Sequence, residues 1–317
     1  MAMNRLQLQP GLSMMEFMNK YGTESLCQNA LEQARWPEGF RCTSCRDERH
    51  SVFHRKGHKY FQCHRCRHQT TVISGTIFQA TKISLTRWFL AMHLLTQAKN
   101  NVSALELKRH LGVSYPTAWL MKHKLMKVMS LREDRRVLEG RVEIDDAYLG
   151  GERAGKTGRG SENKVPLIAA VQTSDEGRPL YVRLNRIAAF TKEAVDEWAN
   201  KALSASARTV SDGLHCFRTL SGSVAEHQSI TVGGGRQSVK RPEFRWVNTL
   251  LGNLKTAISG TYHAFNFFKY ADRYLAEAQY RFNRRFDLST ILTRLLRASA
   301  VTRPHPLCRI RLAEDAL

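Results

Sequence analysis

Two aspartates in strand-like settings, Asp145 in "RVEIDDAYLGG" and Asp212 in "TVSDGLHCF", are followed by Asn248 and Lys255 in "RWVNTLLGNLK". Carboxylates are hard oxygen donors that suit Mg2+ or Mn2+ and leave positions open for phosphate oxygens and water. Two such ions at one phosphate serve an in-line displacement, one activating the attacking oxygen and the other steadying the leaving one. In "RVEID", alternation sets Val142 and Ile144 on one face of a strand and Glu143 and Asp145 on the other. Asp145 can then share a site with Asp212 at the end of a neighbouring strand. By the same alternation the side chain of Asp146 is expected to point away, which favours Asp145 as the first acid. Asn248 and Lys255 lie two helical turns apart and share a face. Two readings of Asn248 stand here, a metal ligand through its amide oxygen or an ordinary helix cap. Glu226 and Glu243, in loop-like sequence before that helix, are alternative acids.

A second constellation is Cys42, Cys45, Cys63 and Cys66, a C-x2-C pair, seventeen residues and another C-x2-C pair. Each pair brings two thiolates together from one tight turn, and two such turns complete a tetrahedral Zn2+ site. A pair of disulfides is the other reading, disfavoured in a reducing compartment. The intervening "SVFHRKGHKYFQCHRC" alternates and is basic and aromatic, as a β-hairpin lying on DNA would be. Four thiolates fill a structural site, so His50, His54, His58, His64 and His68 are expected at the surface or facing phosphates. Cys27, Cys216 and Cys308 lack partner spacing and are expected to serve packing.

The elements that must position these sites follow from charge and periodicity. Forty-nine Lys and Arg against 28 Asp and Glu leave a formal net charge of +21, which favours a polyanion over a small neutral substrate. No apolar run approaches the ~20 residues that span a bilayer, and the expected location is the cytoplasm, in association with the nucleoid. Residues 1–40 read as a helical segment and 41–75 as the zinc ribbon. In 80–130, Trp88, Phe89, Met92 and Leu95 mark one helix face, Ser103 starts a second helix, and Gly112 closes a turn before an N-cap at Ser114. This predicts a helix-turn-helix whose last helix enters the major groove, with Tyr115, Thr117, Lys122 and Lys124 on its exposed face; a helical linker with a basic solvated face is the alternative.

From residue 140 to 288 three strand-like segments, a helix in "TKEAVDEWANKAL" and a further strand in "ARTVSDG" give the order of a ribonuclease H-like (retroviral-integrase) α/β domain. The fold class expected is therefore multidomain α+β, with residues 289–317 as a C-terminal tail. "GGERAGKTGRGSENK" reads as a basic hairpin tip able to touch DNA, and "GGGR" at 233–236 as a turn lacking the Lys and Ser or Thr of a nucleotide-binding loop. In the final helix, "AFNFFKYADRYLAEAQYRFNRRF", the aromatics read as core, with Arg281, Arg284 and Arg285 directed at phosphates.

The stretches "FRCTSCRDERH", "FQCHRCRHQTTVISGTIFQATKISLTRWF", "LKRHLGVSYPTAWLMKHKL", "VEIDDAYLGG" and "VNTLLGNLKTAISGTYHAFNFFKYADRYLAEAQYRFNRR" resemble the zinc-ribbon transposases of the IS1595 (ISXO2-like) insertion-sequence family. The resemblance runs from about residue 14 to residue 290. It implies a DNA transposase that recognises terminal inverted repeats, cleaves the element ends using Mg2+ or Mn2+, and joins their 3′ hydroxyls to target DNA, as a dimer or higher oligomer on double-stranded DNA. It places the first acid on Asp145, where the family typically reads Asp-Glu and this chain reads Asp145 and Asp146, and the second on Asp212. Anchoring "LKTAISGTYH" puts Lys255 at the family's basic position and Asn248 at the third, where the fold class ought to carry Glu; some branches resemble this chain in carrying Asn. A catalytically inactive transposase-derived DNA-binding protein or repressor is the first alternative. A zinc-ribbon transcription factor without nuclease ancestry is the second, against which the Asp145, Asp212, Asn248 and Lys255 spacing argues.

Overall fold

The computed structural model describes residues 9–55, 57–150, 164–231, 241–262 and 265–312. The segments expected as a basic hairpin tip and as the "GGGR" turn lie mostly or wholly outside these. The chain divides into two compact units, one running to Val128 and resuming at Phe286, the other spanning Met129–Arg285.

In the first unit, α1 (Met14–Tyr21) opens on a capping box in which the Ser13 hydroxyl accepts from the Glu16 N–H and the Glu16 carboxylate accepts from the Ser13 N–H. Helix α2 (Glu24–Arg35) is capped by Thr23. Strands β1 (His50–Arg55), β2 (His58–Cys63) and β3 (Gln69–Thr71) form an antiparallel meander. Helix α3 (Leu85–Gln97) buries Trp88, Phe89, Met92 and Leu95, the face marked by their spacing. Helix α4 (Ala104–Leu111) starts at the Ser103 cap and stops at Gly112, whose φ of 61° and ψ of 42° are left-handed and suit glycine. Helix α5 spans Tyr115–Glu133, with the Ser114 hydroxyl accepting from the Thr117 N–H.

The stretch expected as a tail is a core helix. Apolar residues at helical spacing, Ile291, Leu292, Leu295 and Leu296, bury one face of the later helix Ile291–Val301, which packs on α2 and α3.

The second unit is a five-stranded sheet. Its strands are β4 (Arg141–Leu149), β5 (Val165–Thr173), β6 (Pro179–Arg186), β7 (Arg208–Asp212) and β8 (Glu226–Ile230), in the order β6-β5-β4-β7-β8. The first three pair antiparallel; β4–β7 and β7–β8 are parallel. Helix α6 (Lys192–Ala202) connects β6 to β7. Strand β8 was not expected, since "EHQSI" is short and largely polar.

Alternation along β4 sorts its side chains as the sequence suggests. Val142 and Ile144 join a core with Val195, Trp198 and Ala199 of α6. Ala147 and Leu149 face the opposite core with Val247, Leu250, Leu251 and Leu254 of α7 (Arg245–Thr261) and Leu275 of α8 (Phe267–Phe282). The edge strand β6 is covered by α8 and its C-cap residue: Val182 N–H donates to Asn283 Oδ1 at 2.8 Å and Leu184 N–H to Gln279 Oε1 at 2.7 Å. Side-chain amides thus satisfy backbone donors that an open edge would leave unpaired. Two remaining helices, named α9 (Ile291–Val301) and α10 (Leu307–Leu312), complete the first unit.

Candidate active site and metal centre

Parallel pairing of β4 with β7 sets Ile144 opposite Ser211, so the next residue on each strand, Asp145 and Asp212, come level at the end of the ladder. Carboxylate oxygens of Asp145, Asp146 and Asp212 all lie within 4.8 Å of one another. Burial, then the charges of Asp146 and Asp212, push the Asp145 carboxyl up to about 7; the Asp146 N–H and the Lys255 ammonium act in the opposite direction. Such a cluster of half-buried like charges is costly when empty of cations and suits a hard divalent ion. Mg2+ takes hard oxygen ligands at ~2.1 Å, so the donor set fits in chemistry, and its oxygens lie close to the spacing that one ion requires.

Asp146 therefore departs from expectation. The pairing of β4 with β7 ends at Ile144, and the Asp146 N–H donates to Asp145 Oδ1 at 2.9 Å, which turns the Asp145 carboxylate along the strand towards its neighbour. Alternation separates the two Cβ atoms without separating the oxygens they carry. Glu226 opens β8 opposite Arg208, while Ile230 pairs with Asp212 four residues on, so the carboxylate is ~13 Å along the sheet and does not serve as a substitute acid. Glu243 lies in the short turn before α7, outside the acid cluster among the described residues.

Asn248 is the fourth residue of α7 and partly buried, so it is not the helix cap. Lys255 is exposed on the same helix, two turns on, and its charge acts on Asp145. Sequence reasoning missed the group that does serve the N-terminus of α7, the buried Glu143 carboxylate on β4, which accepts from the Trp246 and Val247 N–H groups. Its signal was its position on the Asp145 face of an alternating strand.

The four cysteines converge in the other unit. Sγ atoms of Cys42 and Cys66 are 3.5 Å apart, as are those of Cys45 and Cys63, and all four lie within 4.8 Å. Disulfides need ~2.05 Å, whereas Zn–S bonds of ~2.3 Å in a tetrahedron set sulfurs ~3.8 Å apart; the geometry fits zinc. Each C-x2-C turn closes identically, with Arg46 N–H donating to Cys42 O at 3.0 Å and Arg67 N–H to Cys63 O at 3.1 Å. Arg46 and Arg67 consequently take positive φ of 66° and 58°, a region where glycine is the usual occupant. Burial raises the Cys42 thiol, but the N–H groups of Cys45 and Ser44 and the thiols of Cys66 and Cys45 together bring it down to about 7, towards the thiolate a metal needs, while the same thiol cluster pushes Cys45 up to about 12. Beneath the cluster, Phe40 and Phe61 stack with centroids 5.3 Å apart and Trp36 packs edge-on to both. Of the remaining cysteines, Cys27 and Cys216 are buried as expected; Cys308 is exposed.

Comparison with known proteins fits both centres. Residues 137–283 match the ISXO2-like transposase domain, and residues 22–69 match the transposase zinc-ribbon domain. The chain belongs to the ISXO2-like transposase family. It is also 34% identical over 140 residues to a protein of Halobacterium salinarum described as an uncharacterised protein in transposable element ISH50; that match spans 43% of this chain and 45% of the relative.

In this family member the basic residues expected at DNA sort into two groups. Tyr115 is exposed and Thr117 half-buried at the start of α5. Lys122 and Lys124 are not on an exposed face: both are buried, with the Lys122 ammonium donating to Val102 O and the Lys124 ammonium to Ile77 O at 3.1 Å. The middle of α5 is enclosed all round, and the long stems pack while their ammonium groups meet carbonyls. Arg281, Arg284 and Arg285 are likewise held inside. Arg281 lies 3.6 Å from the buried Glu277, Arg284 pairs with the buried Glu133 and stacks on Tyr280, and Arg285 donates to the carbonyls of Pro179 and Leu180. Exposed cations lie elsewhere, at Lys108 and Arg109 in the last turn of α4 and at Arg55, Arg65 and Arg67 of the ribbon.

Proposed function

We propose that this transposase binds the terminal inverted repeats of its element, cleaves the ends and joins them to target DNA by divalent-metal-dependent phosphoryl transfer. The observation that carries this reading is the convergence of Asp145, Asp146 and Asp212 at the level ends of β4 and β7, with the charge of Lys255 bearing on Asp145. The strand order, with three antiparallel strands flanked by two parallel additions, supports a ribonuclease H-like domain.

In this reading Asp145 and Asp212 hold the metals with the Asn248 amide oxygen, a neutral ligand, completing the set. Mg2+ or Mn2+ ions, when bound, supply acidification of the attacking hydroxyl and charge neutralisation at the leaving O3′. The Lys255 ammonium, whose charge bears on Asp145, holds a non-bridging phosphate oxygen. Water attacks the phosphorus with O3′ leaving at cleavage; the freed 3′ hydroxyl then attacks a target phosphodiester. The Cys42, Cys45, Cys63 and Cys66 site holds structural Zn2+, and helices α4 and α5 act as a helix-turn-helix presenting Tyr115 and Thr117 to base edges. The net charge of +21 supports double-stranded DNA as partner. Among the described residues no helix is long and apolar enough to cross a membrane; we place the protein in the cytoplasm on the nucleoid, with two or more copies assembling on the paired ends.

The test uses purified protein, DNA carrying the sequences that flank its gene, and Mg2+ or Mn2+. Site-specific 3′ nicking or joining that Asp145→Ala and Asp212→Ala abolish, with DNA binding retained, is the expected result. Specific binding without cleavage under either metal would favour the second reading, a transposase-derived repressor, to which the neutral Asn248 lends its support.

A further inference from the structure

Glu143 stands two residues before Asp145 on the same face of β4 and is 1% exposed, so its carboxylate must be satisfied inside the protein. One oxygen, Oε1, accepts from the Arg141 guanidinium at 2.9 Å. The other, Oε2, accepts from the Trp246 N–H at 2.9 Å and the Val247 N–H at 3.1 Å. The first N–H groups of a helix have no partner within it, and α7 receives no side-chain cap from Phe244 at its own N-cap position. A carboxylate from another element therefore does the capping, where the helix dipole favours negative charge. Arg141 tightens the junction by donating to Glu243 O at 3.2 Å, on the turn that leads into α7, and to Thr173 Oγ1 at 3.3 Å on β5.

The consequence lies at the next site residue along each element. Val247 precedes Asn248, and Glu143 is one alternation step from Asp145. One side chain thus bridges the strand that carries the first acid to the helix that carries Asn248 and Lys255. We propose that Glu143 is the positioning residue of the metal site, setting the distance and angle between Asp145 and the Asn248 face of α7, with Arg141 holding its carboxylate in place. This deepens, and rests on, the catalytic reading above. Hydrogen-bonded groups behind metal ligands commonly contribute about 10–100-fold in metal affinity or activity.

The experiment compares Glu143→Gln with the wild type in the full-length, zinc-loaded protein. The amide keeps the shape and one acceptor but loses the charge and one of the two acceptor oxygens. Three quantities are read: hydrogen exchange at Trp246 and Val247, Mn2+ binding by calorimetry, and end cleavage against Mn2+ concentration. The expected result is faster exchange at those two amides, Mn2+ binding weakened by about 10–100-fold, and cleavage that recovers at high Mn2+, with terminal-repeat binding unchanged. A merely structural role would lower the melting temperature without moving the Mn2+ dependence of the folded protein. Mn2+ affinity and cleavage both within about twofold of wild type, far below that range, would overturn the proposal. If Glu143→Gln does not fold, Arg141→Lys, which keeps the cation but loses the fork, is expected to raise the Mn2+ requirement to a lesser degree, and wild-type Mn2+ behaviour there overturns it. Asp145→Ala and Asp212→Ala separate the two failures. If they abolish Mn2+ binding while Glu143→Gln leaves it at wild-type strength, only the positioning role falls; if they too leave it intact, the catalytic reading falls and takes this inference with it.

Discussion

Replacing Asp145 with asparagine should stabilise the metal-free protein at pH 8 while abolishing cleavage. The Asp145 carboxyl titrates at about 7 because of burial and its neighbours Asp146 and Asp212, about three pH units above an ordinary aspartate. The folded state holds a proton that the unfolded chain has released. Stability from this group is therefore complete below about pH 4 and is lost as the pH climbs through about 7. At ~1.36 kcal/mol per unit the ceiling is about 4 kcal/mol. The substituted amide would keep the cost of burying a polar group, so the gain expected at pH 8 is about 1–3 kcal/mol. For a unit of this size that is a rise in Tm of roughly 2–12 °C, shrinking at pH 5, where wild-type Asp145 is already protonated. Calorimetry in chelator at both pH values measures it. Saturating Mn2+ should reverse the order, because only the wild type gains binding energy. An Asp145→Asn protein less stable than wild type at pH 8, or a gain equal at both pH values, would refute the electrostatic account.

Asp146→Asn should raise the Mn2+ concentration needed for half-maximal cleavage, and an unchanged metal titration would remove Asp146 from the site. Zinc removal should unfold residues around 42–66 and weaken DNA binding, monitored by circular dichroism and gel shift; undiminished binding in the zinc-free protein would count against the ribbon as a DNA element. Lys122→Met and Lys124→Met should leave DNA affinity unchanged, whereas Lys108→Ala or Arg109→Ala should weaken it and lower the salt slope by about one each. Arg284→Ala should destabilise the second unit by about 3 kcal/mol in denaturant titrations, since it leaves the Glu133 carboxylate, 2% exposed, without its closest cation.

How far the sequence foretold this arrangement varies with the kind of signal. The sorting of Val142 and Ile144 from Glu143 and Asp145 follows from the pleat of a strand, and it held because β4 is central and both its faces are packed. Gly112 was legible because a helix end that needs positive φ selects glycine. The C-x2-C pairs were legible because each draws two thiols from one tight turn, although the left-handed Arg46 and Arg67 carry no such mark. Lys122, Lys124 and Arg284 misled because charge predicts exposure only when the stem has nowhere to pack and the head no carbonyl or carboxylate to meet. Those partners, Val102, Ile77 and Glu133, are set by tertiary structure at separations of 20, 47 and 151 residues.

Asp146 and Glu143 mark the same boundary within the site itself. A period-two rule fixes where a Cβ points, but an aspartate oxygen lies two bonds farther on, and a hydrogen bond to the next residue's N–H is enough to redirect it. The acid cluster consequently holds three carboxylates before α7 contributes anything. Two aspartates and a glutamate would bring the same formal charge to a metal pair. On the proposed reading, with Asp146 counted, a neutral Asn248 leaves three carboxylates at the metal site. The helix then needs to supply position more than charge, which is the quantity the Glu143 cap on α7 fixes.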